Sequence, residues 1–518
     1  MELDRLLSPL NVRVDQKRKD IVDLLGNKEV LGIAYDSRKV KPGFIFVAIK
    51  GGITDGHLYL GQAKDNGAML ALVETPNPDV DLPQLEVESS RRALSHLTST
   101  WFSHPSKEML MTGITGSNGK TTTAMMLDHV LIENGITPGM IGTIFYRLGD
   151  RLEPSDLTTP ESLELQGFLR EQADYGFTHC VMEVSSISIE QCREADITYD
   201  VMAFNNITRE HIDQHGTFEK YLAAKMSLMK RLPASSIAVI GLDDPIITEN
   251  CADLTARTIS FGLENQAADV LAEDLDLSTG FGRFNLAIKR TIPTLQGMVE
   301  PITVPVTLTV PGLSSVYNAL SAVTMAIAQG LRPEQAAHGI STYEGIERRF
   351  QQVYNGAYQI YDDHFANAGN VRMTLAATEY MDKKKLHLAF AVRGSRGVTV
   401  NREVAEEMAL WKDRLPWGKI IVTLSRDITT PKDHVTEDEA DIFIKTFREA
   451  GYEFTVVETL KEAMEQIVDA AEAGDVVILG GAQGMDPGAR IALHHILDKD
   501  PSLDEKVILA PLEGRICG

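Results

Sequence analysis

The residues best suited to chemistry in this chain lie in a glycine-rich segment, Gly113-Ile-Thr-Gly-Ser-Asn-Gly-Lys-Thr-Thr-Thr123. A β-rich run precedes it and a helical pattern follows it, so its backbone N–H groups meet at a helix N-terminus, where the helix dipole favours an anion. Glycine at Gly116 and Gly119 lets the backbone approach phosphate oxygens. Lys120 can reach the β and γ phosphates, and the Thr121 hydroxyl can bind Mg²⁺. The segment therefore predicts a nucleotide-phosphate loop.

The loop is a variant of the common phosphate-loop pattern GxxxxGK[ST]. That pattern needs glycine at position 114, where the chain has Ile114, and Gly113 lies one residue early. The alternative is a glycine-rich turn without a ligand. A loop that ends in GKTTT between a strand and a helix favours the phosphate-binding interpretation.

Carboxylate and histidine side chains follow the next two apolar runs. Glu183 lies at the end of the run 179–184, and ligands gather at the carboxyl ends of strands in open α/β sheets. After the run 199–204 comes a polar loop with three candidate ligands spaced two apart, His211, Asp213 and His215. Such a cluster alone is more typical of a solvated loop. Its position after a phosphate loop and Glu183 favours His211 as a metal ligand.

These side chains need alternating strands and helices to position them, and most of the chain has that pattern. Between residues 109 and 240 strand-like runs alternate with longer helical patterns, which is typical of a parallel, doubly wound sheet. Residues 268–310 predict antiparallel strands. We predict an α/β protein of three domains: a small α/β domain at 1–107, the phosphate-loop domain at 108–345 and a Rossmann-like α/β domain at 346–518.

Composition limits the classes of function. The chain has 518 residues and carries 50 Lys and Arg against 73 Asp and Glu, a net charge of −23. A surface this acidic argues against sequence-independent binding to nucleic acid or to an anionic membrane. No run approaches the roughly 18 uninterrupted apolar residues of a membrane span, and the first ten residues do not resemble a secretory signal. The cysteines form no CxxC pair. We therefore expect a cytoplasmic protein with no nucleic-acid or membrane partner.

Together these motifs resemble the Mur ligase family, the ATP-dependent enzymes that build the peptide of bacterial peptidoglycan. The resemblance covers nearly the whole chain and is nearest to members that add the third residue to UDP-N-acetylmuramoyl-L-alanyl-D-glutamate. The segments Tyr35-Asp-Ser-Arg-Lys-Val-Lys-Pro-Gly43 and Asp55-Gly-His57 are similar to the family's uridine-nucleotide domain. The resemblance thus implies UDP-sugar binding by 1–107, ATP binding by 108–345 and amino-acid binding by 346–518.

The resemblance also implies roles for single residues. Those implied in substrate binding are Ser37, Thr158, Thr159, Ser185 and Arg193. Those implied in ATP binding are Gly116, Asn118, Gly119, Lys120, Thr121, Thr122, Asn318, Arg349 and Asp362. Those implied in Mg²⁺ binding are Thr121, Glu183, His211 and Lys225. The implied catalytic set is Lys120, Glu183, His211, Lys225 and Arg349.

Lys225 shows how far the resemblance goes beyond the pattern of residues. On sequence alone it is an ordinary helical lysine, and a surface salt bridge is its simplest role. It falls, however, where the family carries a carbamylated lysine. Carbamylation would turn the ammonium into a carboxylate that can bind Mg²⁺, where a plain lysine would repel the metal.

The implied reaction proceeds through an acyl phosphate. The substrate carboxylate attacks the γ-phosphoryl group, while Lys120 and two Mg²⁺ ions neutralise charge on the transferring group. An incoming amine then displaces phosphate and forms an amide. Closure of the third domain would exclude water, which would otherwise hydrolyse the intermediate. The implied partners are a UDP-N-acetylmuramoyl-peptide and an amino acid, with the chain acting as a monomer.

The third domain departs from the family pattern where the amino acid would bind. A DYAHTP-like stretch is replaced by residues 362–367, with Phe365 at the histidine position. The DNPR-like signature associated with meso-diaminopimelate is replaced around 425–428, and 480–485 replaces a GKGHE-like turn. In the second domain an aromatic–Asn pair is replaced by Ser314-Ser315. These departures disfavour diaminopimelate. Three arginines are candidates for binding a carboxylate, with ordinary surface roles as the alternative: Arg393, Arg396 and Arg426.

Two other functions fit parts of the pattern. A folylpolyglutamate- or cyanophycin-type ligase would share the phosphate loop, but Ser37 and the segment 158–160 argue against it, because a folate enzyme needs no uridine-binding domain. A nucleotide-binding scaffold would explain the altered third domain. It would not need the implied catalytic set.

Overall fold

The computed structural model describes residues 1–8, 10, 15–26, 28–51, 54–208, 217–251, 253–278, 280–345, 347–431 and 433–515. The chain forms two compact units. The first comprises 1–271, 287–304 and 318–339, and the second comprises 272–286, 305–317 and 340–518.

A four-stranded parallel sheet opens the first unit, in the order β1-β2-β3-β4. Its strands are β1 Gly32–Ala34, β2 Phe44–Val47, β3 Ala68–Val73 and β4 Gln84–Glu86. The helices of this region are α1 Leu3–Leu7, α2 Asp15–Leu25, α3 Leu60–Asp65 and α4 Ser90–Trp101. Apolar side chains of the sheet, α1 and α4 form one buried cluster. The predicted small α/β fold is confirmed.

A larger sheet in the same unit carries the glycine-rich loop. Its strands are β5 Leu110–Thr115, β6 Gly139–Ile141, β7 Phe145–Leu148, β8 Arg151–Pro154, β9 His179–Glu183, β10 Val201–Phe204, β11 Ile237–Gly241 and β12 Arg257–Gly262. They lie in the order β12-β11-β10-β5-β9-β6-β7-β8. All neighbours pair in parallel except β6–β7 and β7–β8. The predicted parallel sheet is confirmed.

The helices between these strands follow the predicted alternation. They are α5 Lys120–Glu133, α6 Ser162–Tyr175, α7 Ser186–Glu190, α8 Phe218–Lys230 and α9 Pro245–Asn250. Strands such as β10 and β11 are buried along their whole length, as expected where helices cover both faces of a parallel sheet. Because β5 lies between β9 and β10, the carboxyl ends of these three strands meet at one edge. That edge holds the phosphate loop.

The segment after β12 contains further strands and two helices. These are β13 Val270–Asp276, β14 Phe281–Ile288, β15 Ile292–Thr294, β16 Gly297–Val299, β17 Ile302–Pro311, α10 Leu313–Gln329 and α11 Pro333–Ser341. The antiparallel prediction for 268–310 is confirmed for β15 and β16. It is wrong for the start of β13, which pairs in parallel with β12.

The second unit contains a six-stranded sheet in the order β18-β19-β23-β20-β21-β22. Its strands are β18 Gln351–Asn355, β19 Gln359–Asp363, β20 Leu386–Ala391, β21 Trp417–Thr423, β22 Thr455–Val457 and β23 Val476–Gly481. Its helices are α12 Ala368–Glu379, α13 Val398–Ala409, α14 Glu437–Glu449, α15 Leu460–Ala470, α16 Gly488–Lys499 and α17 Glu505–Leu509. Only β18 pairs antiparallel among the described pairings of this sheet. Separate apolar clusters cover its two faces, which confirms the predicted Rossmann-like α/β fold of this region.

The sequence predicted no membrane span and no paired cysteines. Among them, no helix combines the length and the apolarity that crossing a membrane requires. Cys180 is buried, Cys192 and Cys251 are partly buried, and all three are free thiols. Cys517 lies outside the described residues.

Candidate active site

The glycine-rich loop joins β5 to α5, and two of its glycines have backbone angles that other residues rarely adopt. Gly116 has a φ of +158° and Gly119 a φ of +82°. Gly119 is the N-cap of α5. A Cβ atom at Gly119 would lie 2.2 Å from Oδ1 of Asn318, so the position needs glycine both for its backbone and for the space beside it. Lys120 donates from Nζ to the carbonyls of Gly116 at 2.8 Å and Ser117 at 3.0 Å.

Side chains that follow β10 hold the loop in this shape. The Asn206 side chain accepts from Asn118 N at 2.8 Å and donates to Asn118 O at 3.1 Å. Asn205 donates from Nδ2 to Thr123 Oγ1 at 2.9 Å. Sequence reasoning assigned no role to Asn205, and no local motif marks it. Its role follows from the position of β10 beside β5.

The remaining ATP-binding candidates of the first unit lie around this loop. Asn318 is buried, and its Oδ1 accepts from Thr123 Oγ1 at 3.3 Å. Thr121 and Thr122 are in the first turn of α5 and are partly buried. Asn318 therefore lies directly beside the loop, and its implied contact with ATP stays a prediction.

Glu183 lies at the carboxyl end of β9, and its carboxylate is almost completely buried, with 1% exposure. It accepts from Thr121 Oγ1 at 2.8 Å, from Thr143 N at 2.8 Å and from Thr143 Oγ1 at 3.0 Å. The structure thus brings Thr121 and Glu183 together, as predicted. Thr143 was missed because it lies between two short strands and belongs to no recognisable motif.

The metal prediction can be tested in part. His211, Asp213 and His215 lie outside the described residues. Among the described residues, no three His, Cys, Asp or Glu side chains come together in a way that could hold a metal ion. The Thr121 hydroxyl and the Glu183 carboxylate are oxygen donors next to a phosphate loop, and oxygen donors are what Mg²⁺ prefers. These two residues therefore fit Mg²⁺ by their chemistry.

Lys225 is on α8 and is buried, with 1% exposure. Its Nζ donates to Thr115 Oγ1 at 2.9 Å and to Gly116 O at 3.1 Å. Gly116 O also accepts from Lys120, so the two lysine side chains share one acceptor. The surface salt bridge that sequence alone suggested is wrong, because Lys225 faces the phosphate loop from inside the protein. As an ammonium, Lys225 cannot bind a metal.

A cavity of about 360 Å³ opens beside these residues. It is lined by Gly116, Lys120, Leu157, Thr158, Thr159, Ser185, Ser186, Ile187, Arg193 and Lys225. Thr159 links its wall to Glu183: its Oγ1 donates to Glu183 O at 2.9 Å and accepts from Ser185 N at 3.2 Å. Arg193 donates to Thr159 O at 2.9 Å. Four of the five residues predicted to bind substrate therefore line one cavity with both lysines.

Ser37, the fifth, is placed differently. It is buried in the first sheet region, and its Oγ donates to Gln62 Oε1 at 2.7 Å. It does not line the cavity. Its predicted contact with a nucleotide sugar stays a prediction.

In the second unit the two adjacent arginines differ sharply. The Arg348 side chain is buried and binds Asp362, Asp486 and the carbonyls of Gly481 and Ala482. Arg349 is partly exposed and makes no hydrogen bond or ion pair with any residue in the part of the chain that the structure describes. Arg348 is thus held by protein groups, whereas the implied role of Arg349 in ATP binding stays a prediction.

Asp362 lies at the end of β19 and is fully buried, with 0% exposure. Both carboxylate oxygens are engaged, Oδ1 by Arg348 and Oδ2 by Arg515. Burial of the neighbouring His364, and then the charges of Arg348, Arg349 and Arg393, lower the pKa of His364 to about 3. His364 is therefore neutral near pH 7.

The positions that depart from the family pattern are largely used for packing and capping. Phe365 is in the apolar core, with its ring centroid 6.4 Å from that of Phe390. Asp427 accepts from Leu460 N at 2.8 Å, at the start of α15. Ile428 packs against an apolar cluster. Segment 425–428 therefore supports the fold of this unit.

The three candidate arginines of this region are placed differently from one another. Arg426 pairs with Glu458 at 3.1 Å, and Arg393 donates to the carbonyl of Ala366. Burial lowers the pKa of Arg393. Arg396 is exposed. The arrangement leaves Arg396 as the one of these three that forms no side-chain bond with a described residue.

A glycine-rich phosphate loop, a buried carboxylate at the adjacent strand end and a doubly wound second unit define a nucleotide-dependent α/β enzyme. Comparison with known families makes this more specific. The Mur ligase middle domain matches residues 114–326, the Mur ligase glutamate ligase domain matches 348–483, and the Mur ligase family catalytic domain matches 29–101. The chain belongs to the Mur ligase family, and it is an ATP-dependent ligase of the kind that makes peptidoglycan precursors.

Individual relatives support the same family. The UDP-N-acetylmuramoyl-L-alanyl-D-glutamate--2,6-diaminopimelate ligase of Clostridium botulinum is 30% identical, over 94% of this chain and 95% of the relative. A solved structure of a ligase with that name covers 93% of both chains at 21% identity, with a TM-score of 0.67. The MurF ligase of Thermotoga maritima in complex with ADP covers 92% of this chain and 98% of its own, at 20% identity and a TM-score of 0.55. The two structures support the fold.

Proposed function

We propose that the enzyme adds one amino acid to a UDP-N-acetylmuramoyl-peptide in an ATP-dependent reaction that passes through an acyl phosphate. The observation that carries the proposal is the single cavity that joins Lys120 and Lys225 to Thr158, Thr159 and Arg193. A phosphate loop and a separate polar wall in one cavity suit a nucleotide and a carboxylate acceptor side by side. The names of the relatives indicate a UDP-N-acetylmuramoyl-L-alanyl-D-glutamate acceptor.

In this mechanism the chain binds and orients two anions. The loop N–H groups, the N-terminus of α5 and Lys120 bind the phosphates of ATP, so that charge on the transferring phosphoryl group is neutralised. Arg193 and the threonines of the opposite wall hold the acceptor, whose carboxylate attacks the γ-phosphoryl group. The amine then attacks the acyl phosphate and phosphate leaves. Arg349 and Asn318 complete the proposed nucleotide contacts.

Thr121 and Glu183 are the described residues that would hold Mg²⁺. When bound there, the metal would supply Lewis-acid stabilisation of the phosphate charge. The Glu183 carboxylate is already oriented by Thr121 and by the backbone and hydroxyl of Thr143. A preorganised carboxylate of this kind loses little entropy when it binds a cation.

Carbamylation of Lys225 is favoured by electrostatics. Two ammonium groups that share the Gly116 carbonyl repel each other, and burial of Lys225 makes its charge costly. Reaction of the neutral amine of Lys225 with CO₂ forms an N–C bond and releases a proton. The resulting carbamate is an anion beside the cation of Lys120, so repulsion is replaced by attraction. We propose this modified form as the active one.

The amino acid is the open part of this proposal, and diaminopimelate is disfavoured. Asp427 and Ile428 are used for capping and packing, and Phe365 is in the core. The exposed Arg396 is the remaining candidate for binding a carboxylate of the amino acid. We further propose a cytoplasmic monomer without nucleic-acid or membrane partners, consistent with the net charge of −23.

The deciding experiment is phosphate release by the purified protein with Mg-ATP and UDP-N-acetylmuramoyl-L-alanyl-D-glutamate, run across a panel of amino acids. The nucleotide product is weighed by mass spectrometry. One amino acid should give stoichiometric phosphate and a product heavier by its residue mass, and K120A should abolish both. If no amino acid of the panel gives phosphate release while the protein still binds ATP, the proposed acceptor is overturned. Equal activity of K120A and wild type would overturn the proposed site.

A further inference from the structure

The Arg515 side chain lies beside Asp362, a residue that the family resemblance implied in ATP binding. Gly514, with a φ of +74°, precedes it, and the Arg515 side chain is 2% exposed. Its Nη2 donates to Asp362 Oδ2. Its Nε and Nη1 are buried and have no acceptor among the described residues. A buried guanidinium with a single ionic partner is costly unless the charge has a use, because each unmade hydrogen bond forfeits solvation.

The same carboxylate is held from its other side by Arg348. Arg348 donates from Nε to Asp362 Oδ1 at 3.4 Å and from Nη2 to Ala482 O at 3.1 Å. Asp362 is therefore clamped between two guanidinium groups and has no exposed surface. A carboxylate with no accessible surface cannot contact ATP in this arrangement, although the resemblance implied that role. Its observed contacts are those of an anchor.

The backbone around Arg348, which Asp362 holds through the Arg348 side chain, is strained. Arg348 has a φ of +54° and Phe350 a φ of +52°, both in the left-handed region that non-glycine residues rarely adopt. Such strain persists only where the surroundings determine the conformation. The clamp fixes Arg348. On the other side of the turn, Phe350 N donates to Asp363 at 3.0 Å and the Phe350 ring stacks on Tyr361 at 4.8 Å.

Arg349 lies between these two strained residues. It is the member of the turn that has no hydrogen bond or ion pair with a described residue. The contacts of Arg348 and Phe350 therefore fix the backbone on both sides of Arg349, while the Arg349 side chain itself is not engaged by a described residue. Both left-handed residues carry a conformational cost, which the contacts of Arg348 and Phe350 must offset.

We propose that Arg515 is a positioning residue for the ligase reaction, which acts through Asp362 and Arg348 to hold the strained turn that presents Arg349. The inference rests on the proposed function of Arg349 at the nucleotide. Asp362 on this account is a second positioning residue and not an ATP ligand. Misplacing a catalytic group by about 1 Å can lower a rate by roughly 100-fold, so the clamp has a measurable effect without touching substrate.

The test is a double-mutant cycle on phosphate release with Mg-ATP, acceptor and amino acid. R515A should lower kcat by roughly 10- to 100-fold with a smaller change in KM for ATP, and R515K should recover part of it because a lysine can still reach the carboxylate. In the R349A background, R515A should have no further effect, because there is no longer a side chain to present. D475N is the matched control: it removes the carboxylate charge from the buried His387–Asp475 contact at the amino end of β23 and should act independently of R349A.

The outcomes separate the two proposals. If R349A is slow and R515A slows it by the same factor again, Arg515 acts elsewhere and the inference is overturned. If R515A changes only the unfolding midpoint, as D475N is expected to do, its role is structural and the inference is also overturned. If R349A is as fast as wild type, the proposed role of Arg349 fails, and this is visible from R349A alone. Folded R515K with rescued kcat would support the positioning role even where R515A is too unstable to assay.

Discussion

Gly119 allows the shape of the phosphate loop to be tested against a control on the same helix. Gly119 precedes α5 with a φ of +82°, and Gly135 follows α5 with a φ of +78°. Alanine at either site pays for a left-handed backbone, about 1–2 kcal/mol. Only at Gly119 would the added methyl meet another group, Oδ1 of Asn318 at 2.2 Å. Nothing lies within 4 Å of the corresponding point at Gly135.

The expected effects follow from this difference. G135A should lower the free energy of unfolding by about 1–2 kcal/mol and leave kcat and KM for ATP unchanged. In G119A, Asn318 must also give up its hydrogen bond from Thr123, which adds about 1 kcal/mol. If the displaced loop then loses one charge-assisted bond to phosphate, worth about 1.5–3 kcal/mol, kcat/KM for ATP should fall roughly 10- to 100-fold.

Denaturant unfolding and steady-state kinetics of both variants measure these effects. The double variant G119A/N318A should be more stable than the sum of the two single changes predicts, because alanine at 318 removes the clashing oxygen. Equal kcat/KM values for G119A and G135A would refute the reasoning. So would additive stabilities in the double variant, since the clash would then not be the cause.

Three further predictions concern ionisable groups. E183Q should raise the Mg²⁺ concentration needed for half-maximal phosphate release and lower kcat roughly 10- to 100-fold, and an unchanged Mg²⁺ requirement would contradict the proposed ligand role. K225A should lower kcat at least as much as E183Q does, whereas K220A, at an exposed position of the same helix, should change kcat less than about twofold. Removal of CO₂ and bicarbonate should inactivate the wild-type enzyme reversibly. Full activity without them would exclude the carbamate. His364, whose pKa is lowered from 6.5 to about 3, is neutral in the folded protein, so it contributes stability above pH 6.5 that is lost as pH falls through the window to 3. The wild-type free energy of unfolding should therefore fall relative to H364Q by up to about 1.4 kcal/mol per pH unit in that window, and parallel pH profiles would contradict this.

The sequence predicted the elements that local chemistry determines. Gly119 and Lys120 marked the loop between β5 and α5, because a glycine-rich turn at a helix N-terminus leaves a strong local signal. Glu183 followed from the rule that ligands gather at strand carboxyl ends. The strands β6 to β8 and the role of Thr143 were not predicted, since strands of 3 or 4 residues are too short to show a periodic pattern.

Other parts of the site depend on contacts that no local pattern encodes. The exposure of Lys225 was predicted wrongly because its helix carries both polar and apolar residues, and only its packing against β5 decides which face is inside. The bond between Arg515 and Asp362 joins residues 153 apart in sequence, and no local pattern predicts it.

The positions that depart from the family pattern are also those that the second unit uses for its own stability. Phe365 is a buried core side chain, and a Cβ at Gly480 would lie 2.8 Å from its ring. Histidine at 365 would place a polar ring among these apolar contacts, which costs free energy. Ile428 likewise packs against an apolar cluster. The loop, Glu183 and Lys225 belong to the first unit, whereas residues 365 and 428 belong to the second. The positions that depart from the family pattern are therefore separate in the chain from the residues proposed to activate the acceptor carboxylate, and a substitution at 365 or 428 leaves those residues themselves unchanged.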